Sequence, residues 1–116
     1  MNKKEPEGTH LMVDGKCRNK ELISDTGKLS VLLEKLAEET GMKIITQPIV
    51  VKGTARDGIT GIMVIEESHI AIHTFTEFNL VWIDIFSCKE FDTERIVEYL
   101  RKEFRFDSFR KKVLVR

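Results

Sequence analysis

Residues 58–88 read GITGIMVIEESHIAIHTFTEFNLVWIDIFSC and contain three apolar runs joined by short polar segments. The runs predict consecutive strands at about 59–66, 69–76 and 80–88, because they are short, rich in β-branched residues and closely spaced. Strands joined by such short connections pair antiparallel. Ser68 then lies at a junction between two strands, with two histidines and a cysteine nearby in the sequence. These residue types carry out nucleophilic and proton-transfer chemistry.

Two further segments have the pattern of amphipathic helices. In 27–40 the apolar residues recur every three or four positions, which gives a helix one apolar face. Asp25 or Thr26 can cap the start of this helix, and Gly41 can end it. Asp92 can cap a second helix over about 93–105. We therefore expect two helices, each with one buried face.

The remaining apolar stretches predict three more strands. They are 9–14, followed by a turn at Gly15, then 43–51 and 112–115, with a polar connection over 18–26. Pro48 has no N–H to donate to a neighbouring strand, so 43–51 is expected to lie at an edge of the sheet or to be bulged at Pro48. The order β-α-β-β-β-β-α-β predicts an α+β fold, a two-layer sandwich in which a mainly antiparallel β-sheet is covered on one face by two helices.

Length and charge limit the class of protein. The 116 residues are expected to form a single domain, 1–116. Nineteen basic and nineteen acidic residues give a net charge of zero, whereas proteins that bind nucleic acid or membrane surfaces usually carry a basic excess. No apolar run approaches the roughly 20 residues that cross a bilayer. With two isolated cysteines and no apolar leader, we expect a reduced, cytoplasmic protein with no nucleic-acid or membrane partner.

Alternation along the predicted strands places reactive side chains on one face of the sheet. His73 shares a face with Ala71, Phe75 and Glu77, and the opposite face is apolar. On the next strand, Trp82, Asp84, Phe86 and Cys88 share a face in the same way. A helix-free face of this mixed composition indicates a site or an interface.

Each reactive residue also has an ordinary structural explanation. Ser68 can be a turn serine, His73 a half-buried histidine bonded to backbone, and Cys88 a small apolar residue at a strand end. Spacing alone favours these explanations. We expect no metal site, because His69 and His73 are four apart on a strand rather than a helix and the sequence has no CxxC.

Taken together, these residues resemble a known family. Short prokaryotic-type S-adenosylmethionine decarboxylases, which are pyruvoyl-dependent and self-processing, typically read G-V-S-G, then E-S-H-L-T-I-H-T-W-P-E, then an aspartate and a final T-C. The corresponding residues here are Gly58-Ile59-Thr60-Gly61, Glu67-Ser68-His69, Ile72-His73-Thr74-Phe75 with Glu77, Asp84 and Cys88. The resemblance covers most of the chain, and the E-S-H-x-x-I-H segment followed by a cysteine is its most specific part.

The resemblance implies that the chain cuts itself between Glu67 and Ser68, into 1–67 (the β chain) and 68–116 (the α chain). Ser68 would become a pyruvoyl group, the cofactor, which forms a Schiff base with the substrate amine. The implied roles of the other residues are processing base for His73, processing support for Thr60, proton donor for Cys88, and substrate binding for Phe75 and Glu77.

The implied substrate is S-adenosylmethionine, decarboxylated for spermidine synthesis by a homodimer of processed protomers. Three positions depart from the family pattern: Thr60 replaces a serine, Thr76 replaces a proline, and loop 51–57 lacks the usual aromatic. This loop leaves open an arginine or ornithine decarboxylase on the same scaffold, in which Asp57, Glu77 or Asp84 would hold the distal cation. A non-catalytic homologue or binding module is a further alternative.

Overall fold

The computed structural model describes residues 3–54 and 57–116. Within them, six strands form a single antiparallel sheet, in the order β2-β3-β4-β5-β1-β6. The elements, in chain order, are β1 (Thr9–Cys17), α1 (Lys20–Ile23), α2 (Thr26–Thr40), β2 (Ile49–Lys52), β3 (Ile59–Ile65), β4 (Ser68–Phe75), a 3₁₀ turn (Thr76–Phe78), β5 (Leu80–Ser87), α3 (Thr93–Phe104) and β6 (Phe106–Val115).

The helices cover one face of the sheet, and the core lies between the two layers. Asp25 caps α2 by accepting a hydrogen bond from Lys28 N–H, and Gly41 ends it in the left-handed conformation with φ +73°. Asp92 caps α3 in the same way. The apolar residues expected to face the sheet are buried: Leu29, Leu32, Leu33, Leu36, Ala37, Ile96, Val97, Leu100 and Phe104. The predicted two-layer α+β sandwich is therefore confirmed.

Four boundaries differ from the sequence prediction. β1 does not turn at Gly15 but continues to Cys17: Gly15 pairs with Val81 and Phe109, and its missing side chain leaves room for the Phe106 ring, 2.5 Å from where a Cβ would lie. The connection 18–26 contains the short helix α1. The predicted strand 43–51 is reduced to β2, which lies at an edge as expected. The last strand begins at residue 106 rather than 112.

The other face of the sheet has no helix over it among the described residues. Its exposed apolar side chains include Ile62, Val64 and Trp82, which are 42%, 49% and 43% exposed. A sheet face of this kind is typical of a surface that is covered by another molecule. None of the helices found in the described ranges is both long enough and apolar enough to span a membrane.

Candidate active site

The turn before Ser68 has an unusual backbone conformation. Ile65 and Ser68 face each other across a two-residue hairpin connection, Glu66-Glu67. Glu67 has φ +52°, in the left-handed region that favours glycine. A side chain there costs about 1–2 kcal/mol. The peptide bond after Glu67 is therefore adjacent to a strained residue, at the end of a well-paired strand.

Ser68 and Cys88 lie together beside this turn. Ser68 is buried, with 7% of its surface exposed, and its Oγ accepts a hydrogen bond of 2.9 Å from Cys88 N–H. Cys88 Sγ lies 3.8 Å from the carbonyl oxygen of Glu66. The thiol of Cys88 and the hydroxyl of Ser68 thus both lie next to the same turn.

His73 and Thr60 form a second pair. The two residues are opposite each other in the β3–β4 register, and Thr60 Oγ1 lies 3.1 Å from His73 Nδ1. The pair lies on the helix-free face, at the edge of an open cleft of about 340 Å³ that Phe75 and Thr54 also line. One hydrogen bond holds the imidazole in place and leaves Nε2 available for other contacts.

Within one chain, these two pairs do not meet. Ser68 alternates with Ile70, Ile72 and Thr74 on the buried face, whereas His73 is on the opposite face. The two residues are also five positions apart along β4, which corresponds to about 16 Å at 3.3 Å per residue. The expected nucleophile and base are therefore separated, while the nucleophile and the expected acid are adjacent.

The two residues expected to bind substrate lie at the end of β4. The Phe75 ring contacts Trp82 edge to face, with ring centroids 4.6 Å apart. Glu77 was expected on the same strand face as Phe75, but the strand ends at Phe75 and Glu77 is an exposed residue of the 3₁₀ turn. It lines a small cleft with Phe75 and Asp57.

A second polar cluster on the helix-free face was missed by sequence reasoning. His10 Nε2 lies 3.5 Å from Asp84 Oδ1, and the His69 ring packs against Phe86 with centroids 5.6 Å apart. His10 and Asp84 are 74 positions apart in sequence, and only the pairing of β1 with β5, in which His10 is opposite Phe86 and Met12 opposite Asp84, brings them close together. Asp84, expected as a possible substrate ligand, thus lies beside a histidine, although His10 Nε2 makes no hydrogen bond within the described residues.

The two cysteines have different environments. Cys17 is buried, with its Sγ donating to the carbonyl oxygen of Phe104 at 3.0 Å, and burial raises the pKa of its thiol. Cys88 is half-buried and next to Ser68. Of the two thiols, Cys88 is therefore the one placed to exchange a proton near residue 68.

Comparison with known proteins gives one consistent result. The family model for S-adenosylmethionine decarboxylase matches residues 9–116. An S-adenosylmethionine decarboxylase proenzyme of Clostridium botulinum (strain Langeland) is 34% identical over 110 residues, which is 94% of this chain and 93% of the relative.

The chain belongs to the S-adenosylmethionine decarboxylase family.

A proenzyme of the same name from Archaeoglobus fulgidus is 30% identical over 110 residues, 94% of this chain and 96% of the relative. The crystal structure of the adenosylmethionine decarboxylase from Aquifex aeolicus matches the fold with a TM-score of 0.81, at 21% identity, over 96% of this chain and 91% of that one. The resemblance found in the sequence is confirmed, and the antiparallel sandwich is the fold of a solved S-adenosylmethionine decarboxylase.

Proposed function

We propose that this chain is a pyruvoyl-dependent S-adenosylmethionine decarboxylase that makes its own cofactor by cutting between Glu67 and Ser68. The observation that carries the proposal is the Ser68–Cys88 pair beside a strained turn. It places a nucleophile next to the bond to be cut and a thiol next to the group that the cut would leave. The products would be the fragments 1–67 and 68–116.

In the cutting reaction, Ser68 Oγ attacks the carbonyl carbon of Glu67 while its proton passes to a base. The C–N bond breaks, so that an ester joins Glu67 to the serine oxygen and the amine of residue 68 is freed. Loss of the Cα proton of residue 68 then breaks the Cβ–Oγ bond and releases the Glu67 carboxylate. The dehydroalanine that remains tautomerises, takes up water and loses ammonia, which leaves a pyruvoyl group.

His73 and Thr60 suit the two supporting roles if His73 carries its proton on Nδ1. The Nδ1–H then donates to Thr60 Oγ1 across their 3.1 Å contact, and the lone pair of Nε2 is free to accept the serine proton. The Thr60 O–H is free in turn to donate to the oxygen of the tetrahedral intermediate. A single tautomer therefore provides both the base and the oxyanion donor.

We propose that a second copy of the chain supplies these two groups. The separation of His73 from Ser68 within one chain supports this proposal, and the exposed apolar side chains of the helix-free face provide a surface for a second copy. In a symmetric dimer both copies use the same surface. A two-fold axis near Ala71, midway between positions 68 and 73, would bring His73 of each copy towards Ser68 of the other.

The residues around Ser68 fit a pyruvoyl group. Such a group supplies a carbonyl that binds the substrate amine and accepts the electrons released when CO2 departs. The Cys88 N–H, which already donates to the oxygen of residue 68, remains available to a polar atom at that position. The Cys88 thiol can return a proton to the substrate carbon.

The relatives favour S-adenosylmethionine over arginine or ornithine as the substrate. Those that match over nearly the whole chain carry the name S-adenosylmethionine decarboxylase proenzyme. We also propose a cytoplasmic location, supported by two cysteines that are both free.

Intact mass measurement tests the proposal. The purified protein is expected to give two fragments, 1–67 and 68–116, with the second blocked at its N-terminus, and to release CO2 from S-adenosylmethionine but not from arginine or ornithine. Ser68→Ala should stay uncut, whereas Cys88→Ala should be cut and inactive. A wild-type chain that stays whole would overturn the proposal and leave the non-catalytic binding module as the better interpretation.

Co-expression tests the shared site. Ser68→Ala and His73→Ala chains should each remain uncut alone. Mixed dimers should cut the His73→Ala chain, because it has an intact Ser68 and faces an intact His73 on its neighbour. If the mixture stays as uncut as the single variants, the base does not come from a second copy.

A further inference from the structure

Thr74 places a hydroxyl on the buried face of β4. The side chains that alternate with it on this face include Ile70 and Ile72, which are fully buried, and Thr74 itself is only 1% exposed. Valine would fill the same space with a methyl group in place of the hydroxyl. A buried hydroxyl costs free energy unless it forms hydrogen bonds, so the bonds of Thr74 indicate why this position is polar.

The Thr74 hydroxyl joins the start of β3 to the helix layer. Its Oγ1 accepts a hydrogen bond of 3.1 Å from Ile59 N–H and donates one of 2.9 Å to the carbonyl oxygen of Ile23. Ile59 is the first residue of β3, and Ile23 is the last residue of α1. One side chain of β4 therefore fixes the start of β3 and the end of α1 relative to its own strand.

Helix α1 is in turn attached to the end of α3. Asn19 Nδ2 donates to the carbonyl oxygen of Glu103 at 2.8 Å. The N–H groups of Arg18 and Asn19 both donate to the Phe104 carbonyl, at 3.2 Å and 3.1 Å. The helix layer thus holds α1 in place, and the Thr74 hydroxyl extends that support to the strands.

These hydrogen bonds lie next to the Thr60–His73 pair. Thr60 follows Ile59 in β3 and His73 precedes Thr74 in β4, so the two residue pairs are consecutive in the register. The Thr74 hydroxyl bonds on the buried face, whereas the Thr60 hydroxyl meets His73 Nδ1 on the helix-free face. A shift of β3 against β4 at Ile59 would therefore also change the 3.1 Å contact between Thr60 and His73.

We propose that Thr74 is a positioning residue for self-cutting, which sets the contact between Thr60 Oγ1 and His73 Nδ1 without touching the reacting atoms. The proposal rests on the function proposed above. In that function the Nδ1–H of His73 donates to Thr60, which leaves Nε2 free to accept the serine proton. Without the Thr74 hydroxyl, the Ile59 N–H and the Ile23 carbonyl lose this partner, and β3 is no longer held to β4 beside the pair.

Rates of self-cutting after refolding test this role. Thr74→Val should cut at least about tenfold more slowly than wild type, because a displacement of about 1 Å in a catalytic group can cost a factor of about 100. Thr74→Ser keeps the hydroxyl and should cut at a rate near wild type. Thr40→Val is the matched control: it also removes a buried hydroxyl, one that donates to the Ala37 carbonyl at 2.8 Å within α2, and it should cut like wild type.

The tautomer of His73 separates positioning from a general loss of stability. Nitrogen-15 NMR of uncut Ser68→Ala protein at about pH 8.5 should show the His73 proton on Nδ1, because hydrogen bonds set the tautomer of a histidine. The His73 signals are assigned by comparison with His73→Ala. Adding Thr74→Val should shift the proton towards Nε2, whereas adding Thr40→Val should not.

Cutting at the wild-type rate by Thr74→Val would overturn the proposal. A slow Thr74→Val variant in which His73 keeps its Nδ1 proton would also overturn it, because Thr74 would then support folding alone. If Thr74→Val does not fold, Thr74→Cys replaces it: the thiol is a weak donor and acceptor, so both changes should appear to a smaller extent, and wild-type values would again contradict the role. Failure of the wild-type chain to cut itself would instead overturn the proposed function, so the two failures are distinguishable.

Discussion

At the scale of single residues, the candidate catalytic side chains occupy both faces of β4 and the strands next to it. Sequence motifs were enough to select Ser68, His73, Cys88 and Thr60 as candidates. They did not show that the four form two separate pairs, because that depends on which face of a strand each side chain occupies and on the register of β3, β4 and β5. The left-handed Glu67 was also beyond sequence reasoning, since glutamate rarely adopts that conformation.

Thr60 is the residue whose role can be isolated most cleanly. Thr60→Val should slow self-cutting about 100-fold, because valine keeps the shape but removes the oxygen that bonds His73 and the oxyanion. Thr60→Ser should cut at a rate near wild type. The rate is measured from the uncut fraction over time after refolding. The control is Thr46→Val, which removes an exposed hydroxyl near the other end of β3; equal rates in Thr60→Val and this control would exclude the role.

Glu67 allows a test of stored strain. Glu67→Gly should relieve about 1 kcal/mol of backbone strain in the uncut chain, since glycine adopts positive φ without a steric penalty. We therefore expect this variant to be more stable before cutting and to cut several-fold more slowly. Chemical denaturation is measured in a Ser68→Ala background, which stays uncut, and cutting is followed in the single variant. Faster cutting by the glycine variant would show that strain does not drive the reaction.

At the scale of elements, the helices and strands with a clear apolar period and a capping residue were predicted most accurately. Helices α2 and α3 were predicted almost to the residue, because each combines a capping aspartate with one apolar face. β6 was predicted too short, because its Arg110-Lys111-Lys112 segment is charged and exposed and therefore lacks the apolar pattern of a strand, although it pairs with β1. α1 is four residues long, and a helix of that length has too few positions to show a period.

Helix α3 contains a polar group that opposes folding. The Tyr99 hydroxyl is buried and has no hydrogen-bond partner among residues 3–54 and 57–116, and burial, followed by Glu103, raises the pKa of Tyr99 to about 12. Tyr99→Phe should therefore be neutral or more stable by about 1 kcal/mol. Wild-type stability should not respond to Tyr99 below pH 10 and should fall between pH 10 and 12, where the unfolded tyrosine ionises first.

Urea unfolding of uncut Ser68→Ala protein at pH 8, 10 and 11.5 checks this effect, with and without Tyr99→Phe. The difference between the two curves should widen with pH in favour of phenylalanine. A constant difference would mean that Tyr99 ionises equally easily in the folded and unfolded states.

At the scale of the whole molecule, the proposed cut after Glu67 would leave two fragments whose strands alternate in the sheet. The fragment 1–67 contributes β1, β2 and β3, and 68–116 contributes β4, β5 and β6. Since β1 pairs with β5 on one side and β6 on the other, neither fragment has a complete sheet. Refolding of the cut protein from denaturant should therefore slow about tenfold for each tenfold dilution, as expected of assembly from two chains. For Ser68→Ala, formation of the folded protomer, before two copies associate, should not depend on concentration; a concentration-independent rate for the cut protein would contradict this alternation of strands.

If the chain is cut as proposed, the position of β1 between two strands of the other fragment would make refolding of the cut protein far harder than its first folding. The chain must fold as a single piece before the cut, while loop 66–67 still joins β3 to β4 and makes their pairing local. After the cut that connection is lost, and the two fragments of an unfolded molecule must associate by diffusion before they can refold. The working lifetime of the enzyme is then set by its rate of unfolding rather than by the equilibrium between folded and unfolded states.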